Sequence, residues 1–292
     1  MKRAAEARGL RVLTPLKLRP FVDDARALGG DAFVVASYGK IVPQALLDAV
    51  PIAFNVHPSL LPLYRGATPL QTAIRDGRTE TGVTIIAMDA GMDTGDVLLQ
   101  ERTPIGDTET YGELHDRLAR RGAELAVAAV ERYADGTLTR TPQSEVARQL
   151  GISAEEIAQT LTRPLRKEDL VIDWTWRSAR IVNFVHSLAP QPLARTTCVS
   201  LDGDRSDEPL KIVQARAVTF EELARELDGV VGTCSEPQLL AGGRPGHCRL
   251  YAVPPPGDDA VLVDRVIAPN RGPMSGDAYA RGVLERFAGN VE

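Results

Sequence analysis

Across the first 135 residues, short apolar runs alternate with helix-like segments, and this alternation restricts the fold more than any other feature. Residues 1–8 read as helix and Arg11–Leu13 as a short strand. Residues 20–28 read as helix, and AFVVAS (32–37) is a buried strand set between Gly30 and Gly39. Pro43 opens a short helix over 43–49, IAFNVH (52–57) is the next strand, and a helix follows over 68–75. The strands TGVTIIAMD (81–89) and DVLLQERTPI (96–105) come next. A long helix over 108–134, with Thr108 or Thr110 at its N-cap, completes the set. Strands alternating with helices predict an α/β, doubly wound sheet with both faces covered.

From Ala134 to Lys167 the periodicity weakens, with one helix expected at SAEEIAQTL (153–161). A helix over 177–188 then precedes the β-like runs RTTCVSL, LKIVQARAV, GVVGTC, HCRLYAV and AVLVDRVI, punctuated by Gly and Pro. Such runs fit a small, mainly-β barrel or sandwich. The chain thus divides into a first domain over 1–137, a linker over 138–165 and a second domain over 166–292. The longest apolar runs are six residues, such as Leu125–Val130, far short of a membrane span. No apolar stretch follows the basic start, so no secretory signal is visible. Three widely spaced cysteines, an odd number, argue against a disulfide framework and for a reducing, cytoplasmic setting. The net charge of −5 disfavours nucleic acid on average, yet a local basic stripe can still act within such a protein.

Chemistry concentrates in FNVHPSLLPLYRGATPLQ (54–71). Loops are usually polar, so a turn as apolar as this one packs under something or lines a pocket. Asn55 and His57 lie two residues apart at a strand end, which puts both side chains on one face. Ligands of open α/β sheets bind outside the carboxyl ends of strands. There, an amide beside an imidazole can hold a developing oxyanion, with His⁺ the stronger partner. The plainer alternative is a satisfied polar pair. In MDAGMDTGD (88–96), Gly91 and Gly95 bracket Asp93 and let the loop present its carboxylate. Asp89 and Asp96 sit at strand edges and suit turn roles. The loop lacks the ligand pattern of a calcium site, and His247-Cys248 lacks a second pair, so no metal is expected. A carboxylate beside His57 raises its pKa and fixes its tautomer.

Together NVHPSLLPLYRGATPLQ and ETGVTIIAMDAGMDTGDVL closely resemble the folate-dependent formyltransferase family. The resemblance implies a Rossmann-like catalytic domain and a C-terminal, OB-like domain. Among the branches, the one acting on methionyl-initiator tRNA fits best. KEDLVIDWTWRSARIVNFVHSLAPQPLA and APNRGPMSGDAYARG resemble the two ends of its C-terminal domain, while 200–260 matches weakly. The implied reaction moves a formyl group from 10-formyltetrahydrofolate to the α-amino group of methionyl-initiator tRNA. Asn55 and protonated His57 then stabilise the oxyanion, and Asp93 charges His57 and relays the amine proton through water. Ser59, Leu60, Leu61 and Pro62 correspond to the folate-contacting turn, and no metal is needed. The second domain is implied to bind tRNA, with Arg163, Arg166, Lys167, Arg177 and Arg180 as the densest basic stretch near the linker. For any one of these the alternative is a solvated helix face. Trp174 and Trp176 suit core packing better than nucleotide stacking. A monomer is expected.

The chain opens on a helix where the family's first domain opens on a strand, a helix and a second strand. Roughly 45–55 residues, at ordinary element lengths, are therefore expected ahead of Met1. Other readings are a formyltransferase for a nucleotide-linked amino sugar and an inactive, truncated homologue.

Overall fold

The computed structural model describes residues 2–288 apart from 40, 201–204, 228, 230–237, 245–246 and 254–257. The first half runs α1 (Lys2–Glu6), a 3-10 turn (Arg19–Phe21), α2 (Val22–Ala27), β1 (Phe33–Ala36) and α3 (Gln44–Leu47). Then come β2 (Ala53–His57), α4 (Pro69–Arg75), β3 (Glu80–Ala87), β4 (Val97–Pro104) and α5 (Tyr111–Ala134). The run Arg11–Leu13 is not a strand. It is largely exposed, and among the described residues no strand pairs with it, as a strand requires.

The four strands lie in the order β1-β2-β3-β4. Only β1 and β2 are parallel, joined through α3; β3 and β4 continue the sheet in antiparallel fashion. Alternation along the strands separates two layers. Ile52, just before β2, and Phe54 of β2, with Val83, Ile85 and Ala87 of β3, share a core with Leu114, Leu118 and Ala129 of α5 and Leu70 and Ile74 of α4. Gly122 allows the close seating of α5, because a Cβ there would stand 2.9 Å from Val56 Cγ1. The alternate residues Asn55 and His57 face the opposite layer. On that side Ile86 and Val97 pack with Leu61 of the apolar turn and with Val146.

Val146 belongs to α6 (Gln143–Leu150), a helix absent from the expectation of a weakly periodic linker. Positions 143, 146, 147 and 150 do follow helical spacing, but Gln143 heads the stripe with an amide and Leu150 ends it half exposed. α7 (Ala154–Gln159) follows, capped by Ser153, and a 3-10 turn (Glu168–Leu170) leads to α8 (Ser178–Leu188).

The second half is β5 (Ala194–Ser200), β6 (Arg205–Val218), α9 (Phe220–Glu226), β7 (Leu239–Arg244), β8 (His247–Ala252), β9 (Ala260–Ile267), β10 (Pro273–Ser275) and α10 (Gly276–Ala288). Its strands run in the order β10-β9-β6-β5-β7-β8, and pairing of β8 with β9 closes five of them into a barrel. Closure removes the sheet edges that would otherwise invite pairing with other chains. The strand expected at GVVGTC falls almost wholly outside the described residues. Ile181, Phe184, Val185 and Leu188 of α8 bury against barrel residues such as Leu210, Ile212 and Val263. Trp174 is buried in the same core, its indole N–H donating to Thr196 Oγ1 at 2.8 Å. The halves meet where α4 packs on α8 and where Gly112 N–H donates to Ala189 O at 3.0 Å. Among the described residues no helix is long and apolar enough to cross a membrane.

The N-terminus of α5 carries a reciprocal cap. The Thr110 hydroxyl accepts from Glu113 N–H, and the Glu113 carboxylate accepts from Thr110 N–H at 2.9 Å. Thr110→Ala removes half of this box and is expected to cost about 1 kcal/mol. The urea midpoint should fall at unchanged slope, and an unmoved midpoint would show that the cap adds nothing to stability.

Candidate active site

Asn55, His57 and Asp93 meet around one carboxylate. Asn55 Nδ2 donates to Asp93 Oδ1 at 3.2 Å, and His57 Nδ1 lies 3.6 Å from Asp93 Oδ2. The backbone N–H of Gly66 donates to the same Oδ2 at 2.9 Å. Asp93 reaches this position from a left-handed backbone, φ +57°, a conformation that Asp tolerates better than most residues. Asp89 has a turn role: it accepts from Gly91 N–H at 3.0 Å and from the Thr94 hydroxyl at 2.8 Å.

His57 is buried, with Nε2 2.9 Å from the carbonyl oxygen of Tyr64. A carbonyl only accepts, so Nε2 carries a hydrogen and Nδ1 is left facing Asp93. Burial pulls the His57 pKa below its ordinary value; the Asp93 charge and the Tyr64 carbonyl oppose this less strongly. Burial therefore favours the neutral imidazole. The ring has a charge partner in place for the moment it gains a proton.

The turn after β2 is held from within by polar groups. The Ser59 hydroxyl donates to Leu63 O at 2.7 Å, and the Thr84 hydroxyl donates to Ser59 O at 2.7 Å. Gln100 Nε2 donates to Leu61 O at 2.9 Å and to Thr84 Oγ1 at 2.8 Å. Ser59 and Leu61 are fully buried and Pro62 is buried, whereas Leu60 is only partly covered. Tyr64 is anchored too: its hydroxyl accepts from Arg78 Nε at 2.7 Å and donates to Asp76 at 3.2 Å. Burial pushes that phenol up to about 12.

Two residues not anticipated from the sequence complete the surroundings. Arg65, half-buried, donates through Nε and Nη2 to Gln143 Oε1 at 3.0 and 2.6 Å. Gln143 Nε2 donates to the carbonyl oxygens of Asp93 and Gly95, both at 2.8 Å. A glutamine at the head of an otherwise apolar stripe was the available signal. Gly66 has φ +109°, and a Cβ on it would come 2.2 Å from Thr162 O, so the chain at 162 passes directly against the turn.

The five basic candidates near the linker are all exposed. Arg163 is engaged in a paired bridge to Asp169, 2.6 Å on each side, and Arg180 lies over the Trp176 ring at 4.3 Å. They lie outside the hydrogen-bonded cluster around Asp93. Among the described residues no group of three or more His, Cys, Asp or Glu side chains is arranged to hold a metal ion.

Residues 13–130 match the family model described as formyl transferase, and residues 164–284 match that of the formyl transferase C-terminal domain. A methionyl-tRNA formyltransferase of Nitrobacter hamburgensis is 37% identical over 284 residues, covering 96% of this chain and 80% of that protein. One of Citrifermentans bemidjiense is 42% identical over 249 residues, covering 82% and 72%. Among solved structures, an N-formyltransferase from Helicobacter canadensis, in complex with folinic acid and dTDP-3-aminofucose, is similar in fold. Its TM-score is 0.59 at 18% identity, over 89% of this chain and 81% of that one. HypX from Aquifex aeolicus, in complex with tetrahydrofolic acid, matches with a TM-score of 0.58 at 18% identity, over 93% of this chain but 42% of its own.

The burial of His57 has a consequence for stability against pH. Its folded pKa lies below the ordinary 6.5, so on acidification the unfolded chain takes up this proton first. The contribution is complete above that value and is lost as pH falls through the window between 6.5 and the lower folded value. Urea unfolding should show stability declining as pH falls below 6.5, and the decline should shrink in His57→Gln. An equal decline in both proteins would mean that His57 protonates as readily folded as unfolded.

Proposed function

The chain belongs to the formyl transferase family, and from that premise we propose that it carries a formyl group from 10-formyltetrahydrofolate to the α-amino group of methionyl-initiator tRNA. The observation that carries this reading is the meeting of Asn55, His57, Asp93 and Gly66 N–H beside the apolar turn. The relatives named methionyl-tRNA formyltransferase, at 37% and 42% identity, support the acceptor. The folate compounds named with the two similar structures support the donor.

In this reading the amine nitrogen attacks the formyl carbon, and the carbonyl π pair moves onto oxygen. Asn55 uses one amide hydrogen on Asp93 and has a second to give to that oxyanion. The proton leaving the amine passes by way of water to Nδ1 of neutral His57. The imidazolium so formed is stabilised by Asp93 and adds to the field at the oxyanion. The protonated His57 expected from the resemblance is reached in this reading through that transfer, because burial disfavours the charge beforehand. Collapse restores the carbonyl and breaks the bond from the formyl carbon to N10 of the folate, and the proton held by His57 passes by way of water to that nitrogen, which returns the imidazole to neutral. The turn at Ser59, Leu60, Leu61 and Pro62 is the folate wall, with Leu60 the most available side chain of the four buried or partly buried ones.

We assign catalysis to 1–137 and tRNA binding to 166–292. Exposed Arg166, Lys167, Arg177 and Arg180 are the candidate phosphate contacts, with Arg163 already paired to Asp169. The setting is cytoplasmic. Incubation with 10-formyltetrahydrofolate and either charged initiator tRNA or an amino-sugar nucleotide tests the acceptor. Formylmethionyl-tRNA is the expected product, and formylation of the sugar alone would overturn the assignment. Asn55→Ala should lower kcat about 100-fold, on the order of 3 kcal/mol of transition-state stabilisation. A kcat within a few fold of the parent would remove Asn55 from the oxyanion role.

A further inference from the structure

We propose that Gln143 is a positioning residue for formyl transfer, fixing the Asp93 loop and the Arg65 side chain in one geometry from the segment that joins the two domains. The inference rests on the formyl-transfer reading above and adds to it a residue that touches neither substrate.

Gln143 is 5% exposed, at the first turn of α6. Both of its amide hydrogens go to main-chain carbonyls, those of Asp93 and Gly95, and its oxygen takes two guanidinium donors from Arg65. The hydrogen-bonding capacity of a primary amide is two donors and two lone pairs, so this one is fully used and its orientation is determined. The carbonyls it pins stand on either side of Thr94 and immediately after the left-handed Asp93. An L residue held in that region is unfavourable unless its surroundings enforce it. Those two bonds therefore hold the turn that aims the carboxylate at Asn55, Gly66 and His57.

Packing alone does not call for an amide here. Val146 and Ala147 already bury the adjacent face of α6, and a Leu or Met at 143 would serve the same layer without four polar contacts. The rest of the joining segment grips the site in the same manner. Thr141 and Val97 exchange two backbone hydrogen bonds of 2.8 and 2.9 Å beside the Asp93 loop. Further along, Thr162 donates its N–H and hydroxyl to Arg65 O at 2.8 and 3.0 Å and accepts from Thr68 N–H at 3.1 Å. The stretch 141–162 thus clasps the Asp93 loop at one end and the turn after β2 at the other. Arg65, held at its tip by Gln143 and at its carbonyl by Thr162, lies between the two.

The test uses the full chain and the variant Q143M, which keeps length and volume but makes none of the four bonds. A second variant, Q143N, keeps a neutral amide that is one methylene too short to reach. It carries the test should Q143M fail to fold. Formyl transfer should lose tenfold or more in kcat, with KM for the formyl donor within about threefold, since the donor's own contacts are untouched. A second readout needs no substrate: titration of the His57 ring by NMR, assigned through His57→Gln. The charged groups acting on that ring are Asp93 and Arg65, of which Asp93 has the larger effect. When the loop relaxes and the carboxylate withdraws, the His57 titration should move to lower pH. A kcat within twofold of the parent, a loss accounted for by unfolded protein, or a His57 titration unmoved or moved upward would overturn the proposal. If the unmodified chain itself transfers no formyl group, the functional reading fails, while the ring titration still decides whether Gln143 positions Asp93.

Discussion

The carboxylate of Asp93 is the point on which three separate pieces of chain depend. One oxygen takes the Asn55 amide from the end of β2; the other takes the Gly66 N–H from the turn and faces His57. A partly buried anion must be surrounded by donors or it will protonate or move toward water. Here the donors are the Asn55 amide and the Gly66 N–H, so one anion fixes the end of the strand and the turn together. Desolvation, which makes the carboxylate demanding, also disfavours the charged form of the neighbouring imidazole.

The apolar turn follows the same logic with the opposite polarity. Its side chains sit inward or half-covered, so its backbone carbonyls would be stranded without internal partners. Ser59, Thr84 and Gln100 supply those partners from a buried network, and Leu61 locks the turn against Ile86, Val97 and Val146. A polar, flexible loop could not keep a neighbouring surface dry. This one is rigid because its hydrogen bonds point into the protein and its apolar atoms line the layer above the sheet.

Much of this was legible from local pattern. Period-two alternation put Asn55 and His57 on one face, the glycines around Asp93 marked an exposed turn, and Thr108 and Thr110 marked the start of α5, where Thr110 is the cap. The β-rich second half was visible as a string of short apolar runs, and Trp174 read correctly as a core residue. The misses have a common cause. Arg11–Leu13 had strand-forming residues but, among the described residues, no partner strand. α6 had helical spacing masked by a glutamine in an apolar position. Arg65 and Gln143 are 78 residues apart, and Gln143 is 50 from Asp93, so no local window contains the contact.

What the amino-acid sequence determined by itself was what is set over a few residues: most of the segments that become strands or helices, which side chains share a face, and where glycine permits a tight turn. Only the tertiary structure decided that β3 and β4 run antiparallel beside a parallel pair, that β8 meets β9 to close the barrel, and that the segment joining the halves folds back onto the Asp93 loop and the turn after β2. Those outcomes depend on long-range burial and on satisfying buried polar groups, which are properties of distant residues brought together.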